Sequence, residues 1–341
     1  MSTPLDPARI IQTGLGFWAS KTLLSAVELG LFDVLGDKAL TGAELTKALG
    51  IHDRANPDFY DALLATGFLE RDGDGAAARY RNTAETATFL VRAKPSYVGG
   101  ILEMANSRLF RFWADLTEAL KTGKPQNETK NGGQSVFGEL YANPERLEQF
   151  VEAMSGVSAG NFMALAEKFD FSKYKTLCDV GGAGAILSIH VATRHRHLSC
   201  LTTDLPMVSA IAKKNIAQSG LCDRIQTRNV DFFKDPLPKA DVITMGMILH
   251  DWDLPTKRML IGKAHAALEK GGSLIIYEFL IDDARRTHLP GLLMSLNMLI
   301  ETKGGFDFTG ADCIAWTRAA GFAESRLVPL IGPHSAVIAT K

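Results

Sequence analysis

The 341-residue sequence lacks several features by which a chain declares its class. Its four cysteines, Cys178, Cys200, Cys222 and Cys313, lie far apart and form no CxxC pair, so neither a disulfide frame nor a thiolate metal site is expected. They read as free thiols of a reducing cytoplasm. No apolar run approaches the roughly eighteen residues of a membrane span, and the N-terminal MSTPLDPARI has no basic-then-apolar signal pattern. No sign of charge dominates: 37 Lys plus Arg stand against 38 Asp plus Glu, which disfavours a partner built of phosphate backbone. What is present is 46% hydrophobic and 22% charged residues, the composition of a large buried core, at a length comfortable for two domains.

The first ninety or so residues read as helical and then briefly β. Apolar residues recur at helical spacing from Ile10 to Gly30, and Thr41 with Glu44 three positions later forms a capping-box signature. Asp58 to Thr66 is a further helix, and GFLERDGDGAAARYRNT reads as two short strands around a Gly-Asp-Gly turn. Three helices and a hairpin outline a winged helix. The segment that would read a DNA groove holds Asp53, Asp58 and Asp61 against a single Arg54, so nucleic acid is a poor partner. The apolar Phe17, Trp18, Leu31 and Phe32 suit packing against another chain. Residues 96–168 read as mostly helical, with a polar loop over 122–134, and suit a linker that lines a pocket.

From about Phe169 strands alternate with helices: Thr176–Val180, Ser199–Thr203, Ile225–Asn229, Val242–Gly246, Ser273–Phe279, Ser325–Pro329 and Ala336–Thr340. That alternation implies a parallel, doubly wound sheet, here ending in an antiparallel hairpin. In such sheets ligands lie beyond the carboxyl ends of the strands, and four segments fall there. Asp179-Val-Gly-Gly-Ala-Gly is a strand-to-helix turn whose glycines let the backbone come close to a ligand. Asp204, at the next strand end, either accepts ribose hydroxyls or caps a helix. Asp231 with Phe232 suits an adenine, or is a loop acid beside a core ring. His250, in ILHDWD, stands where a general base is useful. A nicotinamide fingerprint is disfavoured because Ala183, Ile186 and Leu187 occupy its glycine positions. A metal hydrolase is disfavoured because His195 and His197 sit in a charged RHRH turn without an acidic partner cluster.

These four segments, in this order and spacing, resemble the caffeic acid and acetylserotonin type of S-adenosylmethionine-dependent O-methyltransferases, in their bacterial natural-product branch. The similarity also takes in FWASKTLLSAVELGLFDVL, TGAELTKALGI, RYRNT, GGSLIIYEFLI and the C-terminal hairpin. The resemblance implies a winged-helix-like dimerisation domain over 1–95, a helical linker and substrate-pocket region over 96–168, and a Rossmann-like class I methyltransferase domain over 169–341. It implies a homodimer, an aromatic or heteroaromatic hydroxyl as acceptor, no metal, and conversion of S-adenosylmethionine to S-adenosylhomocysteine. On this resemblance Gly181 lies near the methionine part of the cofactor and Ser158, in FVEAMSGVS, meets its amino-acid end. Asp204 takes the ribose hydroxyls with Leu205 beside the adenine, and Asp231 and Phe232 hold the base. His250 is the catalytic base, flanked by Glu278 and by Asp307 where relatives commonly have Glu.

Two departures stand out. The family loop runs Gly-Gly-Gly-x-Gly, whereas an ungapped match here puts alanine at 183 and 185. The first is expected to be a small change, and the second awkward if its position needs positive φ, unless Gly184 lets the turn shift by one residue. Gly246 stands where plant members have a lysine near the adenine, which removes one contact. Besides methyl transfer, the sequence leaves room for a cofactor-binding member with hydroxylase or decarboxylase chemistry, a winged-helix regulator, or a scaffold that has lost its cofactor.

Overall fold

A computed structural model describes residues 5–131 and 143–341. The chain divides into two compact units between Arg111 and Phe112.

In the first unit the helices Ala8–Gly14, Gly16–Glu28, Leu31–Leu35, Gly42–Leu49 and Asp58–Ala65 accompany a small antiparallel sheet in the order β1-β3-β2, with β1 Leu40–Thr41, β2 Leu69–Asp72 and β3 Arg79–Asn82. The helical pattern that begins at Ile10 is two helices rather than one, parted at Leu15. Gly14 and Gly16 bracket that residue and weaken the helix there. The capping box forms as its spacing requires: the Glu44 amide donates to the Thr41 hydroxyl, and the Thr41 amide donates to the Glu44 carboxylate at 2.8 Å. Strand β1, only two residues long and too short for a periodic signal, pairs Leu40 with Tyr80 of the wing. Phe32, Leu35, Leu45, Tyr60 and Leu63 close the core, with the Tyr60 and Tyr80 rings 5.4 Å apart.

The second unit is a seven-stranded sheet in the order β6-β5-β4-β7-β8-β10-β9. Its strands are β4 Thr176–Val180, β5 Ser199–Asp204, β6 Ile225–Asn229, β7 Ala240–Gly246, β8 Leu268–Glu278, β9 Glu324–Pro329 and β10 Ser335–Thr340. Strands β4 to β8 run parallel, and β10 returns antiparallel to β8 and β9. Side chains alternate across the sheet as strand geometry demands. Leu177, Val242, Ile275 and Ile338 face one layer with Leu187, Val191 and Ala212, whereas Cys178, Ile243, Leu274, Ile276 and Val337 face the other with Leu260, Ile261 and Trp316. Because both faces are covered, the inner strands are apolar almost throughout, which is why they were readable. The chain leaves β4 toward β5 on one side and later enters β7 on the other, so the crevice opens at the carboxyl ends of β4 and β7. All four cysteines are free thiols. Among the described residues no helix is long and apolar enough to cross a membrane.

Phe171 is fully buried, with its ring 4.7 Å from that of Phe169. Phe171→Ala is expected to cost about 3–5 kcal/mol of unfolding free energy, read from the shift in a urea transition. A loss below about 1 kcal/mol would show that this core layer is not packed as described.

Candidate functional site

The turn after β4 is governed by how little room it has. A Cβ added at Gly181 would lie 2.4 Å from Ile248 Cδ1, one at Gly182 would lie 2.5 Å from Asp179 Oδ2, and one at Gly184 would lie 2.9 Å from Asn215 Nδ2. All three are below any ordinary contact distance. At 183 and 185 a side chain fits, and the requirement there is one of backbone angle: Ala183 has φ 44° and Ala185 has φ 63°. The turn therefore does not shift to spare Ala185, which takes the left-handed conformation itself as N-cap of the Ile186–Arg194 helix. Ala183, expected to be the minor change, carries the same strain. L-residues pay roughly 1–2 kcal/mol for this conformation.

Surrounding groups hold the turn in place. The Gly181 and Gly182 amides donate to the Thr203 carbonyl of β5, and the Asn215 side chain donates to the Gly184 carbonyl at 2.9 Å. Asp204 is a staple: its Oδ2 accepts from the Ala183 amide at 3.0 Å and its Oδ1 from the Leu205 amide at 2.7 Å. Burial pushes the Asp204 carboxyl up to about 6, against the pull of those two amides. Beneath the turn lies Asp179, buried and receiving the Thr244 hydroxyl of β7 at 2.7 Å. Desolvation drives its carboxyl up to about 7. Sequence reasoning gave Asp179 no role of its own, although an acid two positions before the glycines was a signal.

The other expected cofactor residues are placed as follows. The Pro144–Lys168 helix brings Val151 and Ser155 against the turn, within 3.1 and 3.4 Å of a Cβ built at Gly184, and Ser158 follows one helical turn later. Ser155 was not singled out from sequence. Asp231 follows β6 and is partly spent locally, with Oδ1 receiving the Phe233 amide at 3.0 Å and Oδ2 paired with Lys234 at 2.9 Å. The Lys234 ammonium holds its carboxyl below the usual range. Phe232 is half-buried, 4.8 Å from Phe233, and Lys263 pins the turn by donating to the carbonyls of Phe232, Phe233 and Asp235. At Gly246 a Cβ would lie 1.7 Å from Tyr277 Cζ. The neighbouring strand's ring thus fills the space in which a lysine stem would start.

His250 stands on the short turn Leu249–Asp251 beyond β7 and is buried. Its Nδ1 lies 3.5 Å from Asp307 Oδ1 and 3.9 Å from Glu278 Oε2, and its Nε2 lies 3.6 Å from Asp251 Oδ1. The shorter Asp at 307 reaches the ring more closely than the Glu does. Glu278, at the end of β8, has two tasks: its Oε1 accepts from the amides of Ile248 and Leu249, which fixes the turn, and its Oε2 faces the ring. His250 Nδ1, Glu278 Oε2 and both Asp307 oxygens are buried without a close hydrogen-bond partner, and one donor atom from each residue lies within 4.8 Å of the others. Burial alone would lower the His250 pKa, but Glu278, Asp251 and Asp307 outweigh it and push it up to about 10. The same crowding raises Glu278 to about 7 and Asp251 to about 6, with desolvation the larger cause in both. The group shares protons rather than titrating residue by residue. Asp251 is a third acid that the sequence reading left out, although it follows His250 in the motif.

Residues 113–323 match the family described as the O-methyltransferase domain, and residues 11–92 match the O-methyltransferase dimerisation domain. The chain is 40% identical over 335 residues to the tetracenomycin polyketide synthesis 8-O-methyl transferase of Streptomyces glaucescens, covering 98% of this chain and 97% of that protein. It is 36% identical over 300 residues to an N,N-dimethyltransferase of Streptomyces rimosus, covering 87% and 86%. The crystal structure of human N-acetylserotonin methyltransferase in complex with SAM superposes with a TM-score of 0.91 at 27% identity, over 100% of this chain and 99% of that one.

Two outcomes follow from the turn. Ala183 is only partly buried, so Ala183→Gly is expected to relieve strain and raise stability by up to about 1 kcal/mol. Ala185 is fully buried, and Ala185→Gly gives up a core methyl worth about 0.8 kcal/mol, so its net change is expected to be near zero. Urea titrations that found both variants markedly destabilised would refute the strain. The Asp179 carboxyl is raised in the folded state above its ordinary value near 3.8. The folded protein then holds a proton that the unfolded chain releases, so this group's contribution is full below about 4 and is lost as pH rises toward 7. Asp179→Asn should flatten the fall in stability between pH 5 and pH 8; an unchanged slope in paired urea titrations counts against the assignment.

Proposed function

The chain belongs to the O-methyltransferase family, and from that premise we propose that it methylates a phenol-type hydroxyl of a fused aromatic, polyketide-like small molecule, with His250 as the base. The observation that carries this reading is the imidazole buried among three carboxylates at the carboxyl end of β7, with a turn beyond β4 whose three glycines have no room for a side chain. S-adenosylmethionine is the methyl donor. When bound it supplies an electrophilic methyl on a sulfonium, the bonding pair staying on sulfur as S-adenosylhomocysteine forms. The residues present suit it: a cradle that any Cβ would fill at 181, 182 and 184, and at its edge an acid, Asp204, with acceptor capacity left for a diol. In this reading Gly181 and Ser158 hold the methionine part, Asp204 the ribose, and Leu205, Asp231 and Phe232 the adenine.

His250 takes the hydroxyl proton on Nε2 while Asp307 and Glu278 hold Nδ1. The raised affinity of the ring means that it must first pass its resting proton to the neighbouring carboxylates, of which Glu278, raised to about 7, holds one most readily; the three acids then stabilise the imidazolium that forms again as the substrate proton arrives. The larger share of the rate comes from fixing acceptor oxygen and methyl in line. An amine, the acceptor type named for the Streptomyces rimosus relative, can attack through its lone pair without a base. A buried base therefore favours a hydroxyl. The same base argues against hydroxylase or decarboxylase chemistry, and the acidic helix Asp58–Ala65 against a DNA regulator.

The division into 1–95, 96–168 and 169–341 belongs to this reading. So does a homodimer through the N-terminal unit, where Ile10, Ile11, Phe17 and Trp18 are each more than half exposed on consecutive helices. So does a cytoplasmic setting.

Calorimetry with S-adenosylmethionine, then transfer of a labelled methyl to hydroxylated naphthalenes and anthraquinones, tests the proposal. An absence of cofactor binding at high micromolar concentration ends it. His250→Ala is expected to lower kcat by about 10²–10⁴-fold with cofactor affinity nearly unchanged. An undiminished rate removes His250 as the base.

A further inference from the structure

Lys257 lies in the first turns of the Leu254–Ala267 helix and has no exposed surface. Lysine is almost never buried so fully without a purpose for its charge. Its ammonium donates to the backbone carbonyl of Trp252 and sits 3.6 Å over the Phe306 ring, with the Phe308 ring centre at 5.5 Å. These partners are not arbitrary. Trp252 closes the turn that carries His250, and Phe306 and Phe308 flank Asp307 in sequence. One ammonium thus joins the backbone that positions the imidazole to the rings that position its closer carboxylate.

We propose that Lys257 is a positioning residue of the methyl-transfer site, one that ties the His250 turn to the Asp307 loop and offsets the negative charge buried around the imidazole. The proposal rests on His250 being the base. The charged groups in the surroundings come from several elements: Asp251 from the turn, Asp253 from the helix cap, Glu278 from β8, Glu301 from the end of the Leu289–Glu301 helix, and Asp307 from the loop that follows. On the β9–β10 side His334 feels both His250 and His288 and is held neutral by burial, with its pKa near 4. Desolvation brings the Lys257 ammonium down to about 8, while Glu278, Asp307, Asp251 and Asp253 hold it up. It therefore keeps most of its charge at neutral pH. A cation among those carboxylates competes with an imidazolium for their field. Without it, His250 would bind a proton more tightly and would less often be ready to accept one from substrate.

The test is a titration of the His250 imidazole by NMR in full-length protein saturated with S-adenosylhomocysteine, with His250→Ala assigning the resonance. Lys257→Met, which keeps the length and loses the charge, is expected to raise the imidazole midpoint by about one pH unit, a tenfold gain in proton affinity. Asp251→Asn, which removes a carboxylate instead, is expected to lower it. Lys257→Arg keeps the charge and should stay closer to the parent than Lys257→Met does. A loss of packing alone would not move the two charge variants in opposite directions. Identical midpoints in all of them overturn the role of Lys257. If Lys257→Met does not fold, Lys257→Gln decides in its place: an upward move of the midpoint supports the role of Lys257, and no move refutes it. The base itself is judged separately: a fully active His250→Ala ends both readings, whereas an inactive one with unmoved midpoints ends only this one.

Discussion

Three carboxylates from separate parts of the chain are buried against one imidazole, and the neighbouring structure is arranged to hold that charge. Asp251 comes with the turn after β7, Glu278 from the end of β8, and Asp307 from the loop after the Leu289–Glu301 helix. Left without partners, such a group would be ruinous in a low-dielectric interior. It persists because protons are shared among its members, because Glu278 spends one oxygen on two backbone amides, and because the acids feel the Lys257 ammonium, which rests on aromatic rings. The same field favours the imidazolium, so a proton arriving from substrate is held where it lands.

The turn after β4 is built on the opposite logic. It contains little charge and is constrained by space. Gly181 takes φ 66°, and a Cβ at 181, 182 or 184 would displace the side chains of Ile248, Asp179 and Asn215. Ala183 and Ala185 are tolerated because their penalty is a backbone angle, a matter of roughly 1–2 kcal/mol each, rather than a collision. That penalty is spread through a well-tied turn: two amides to Thr203, one to Asp204, and a carbonyl to Asn215.

How far the sequence could be read follows from these two logics. The doubly wound sheet was legible because its strands are buried on both faces, and ILHDWD was legible because its histidine falls at a strand's carboxyl end. The capping box at Thr41 was legible from two residues. Strand β1 was not, being two residues long and defined only by its pairing with Tyr80. Nor was the break at Leu15 seen within an otherwise helical pattern. Lys257 was missed for another reason: the rings it rests on lie 49 and 51 positions further along the chain, and a charged residue at the start of a helix ordinarily reads as solvated surface. Asp204 was read as a ribose acceptor or a helix cap; no side chain caps the Pro206–Ser219 helix, and the staple to Ala183 that Asp204 makes instead leaves no mark on spacing.

The alanines therefore change what the family departure means. A lost glycine suggests a lost ligand only if the turn must deform to accept the new side chain. Here a Cβ at any of the three remaining glycines would meet a neighbouring side chain, while the two alanines take the positive φ that a glycine adopts without strain. Asp204 still faces the turn, and the Ala183 amide that anchors it is the same group a glycine would present. The departure carries a cost in backbone strain. A scaffold that had abandoned its cofactor would have no reason to keep three positions bare of Cβ, nor to keep an imidazole and three acids buried beside them.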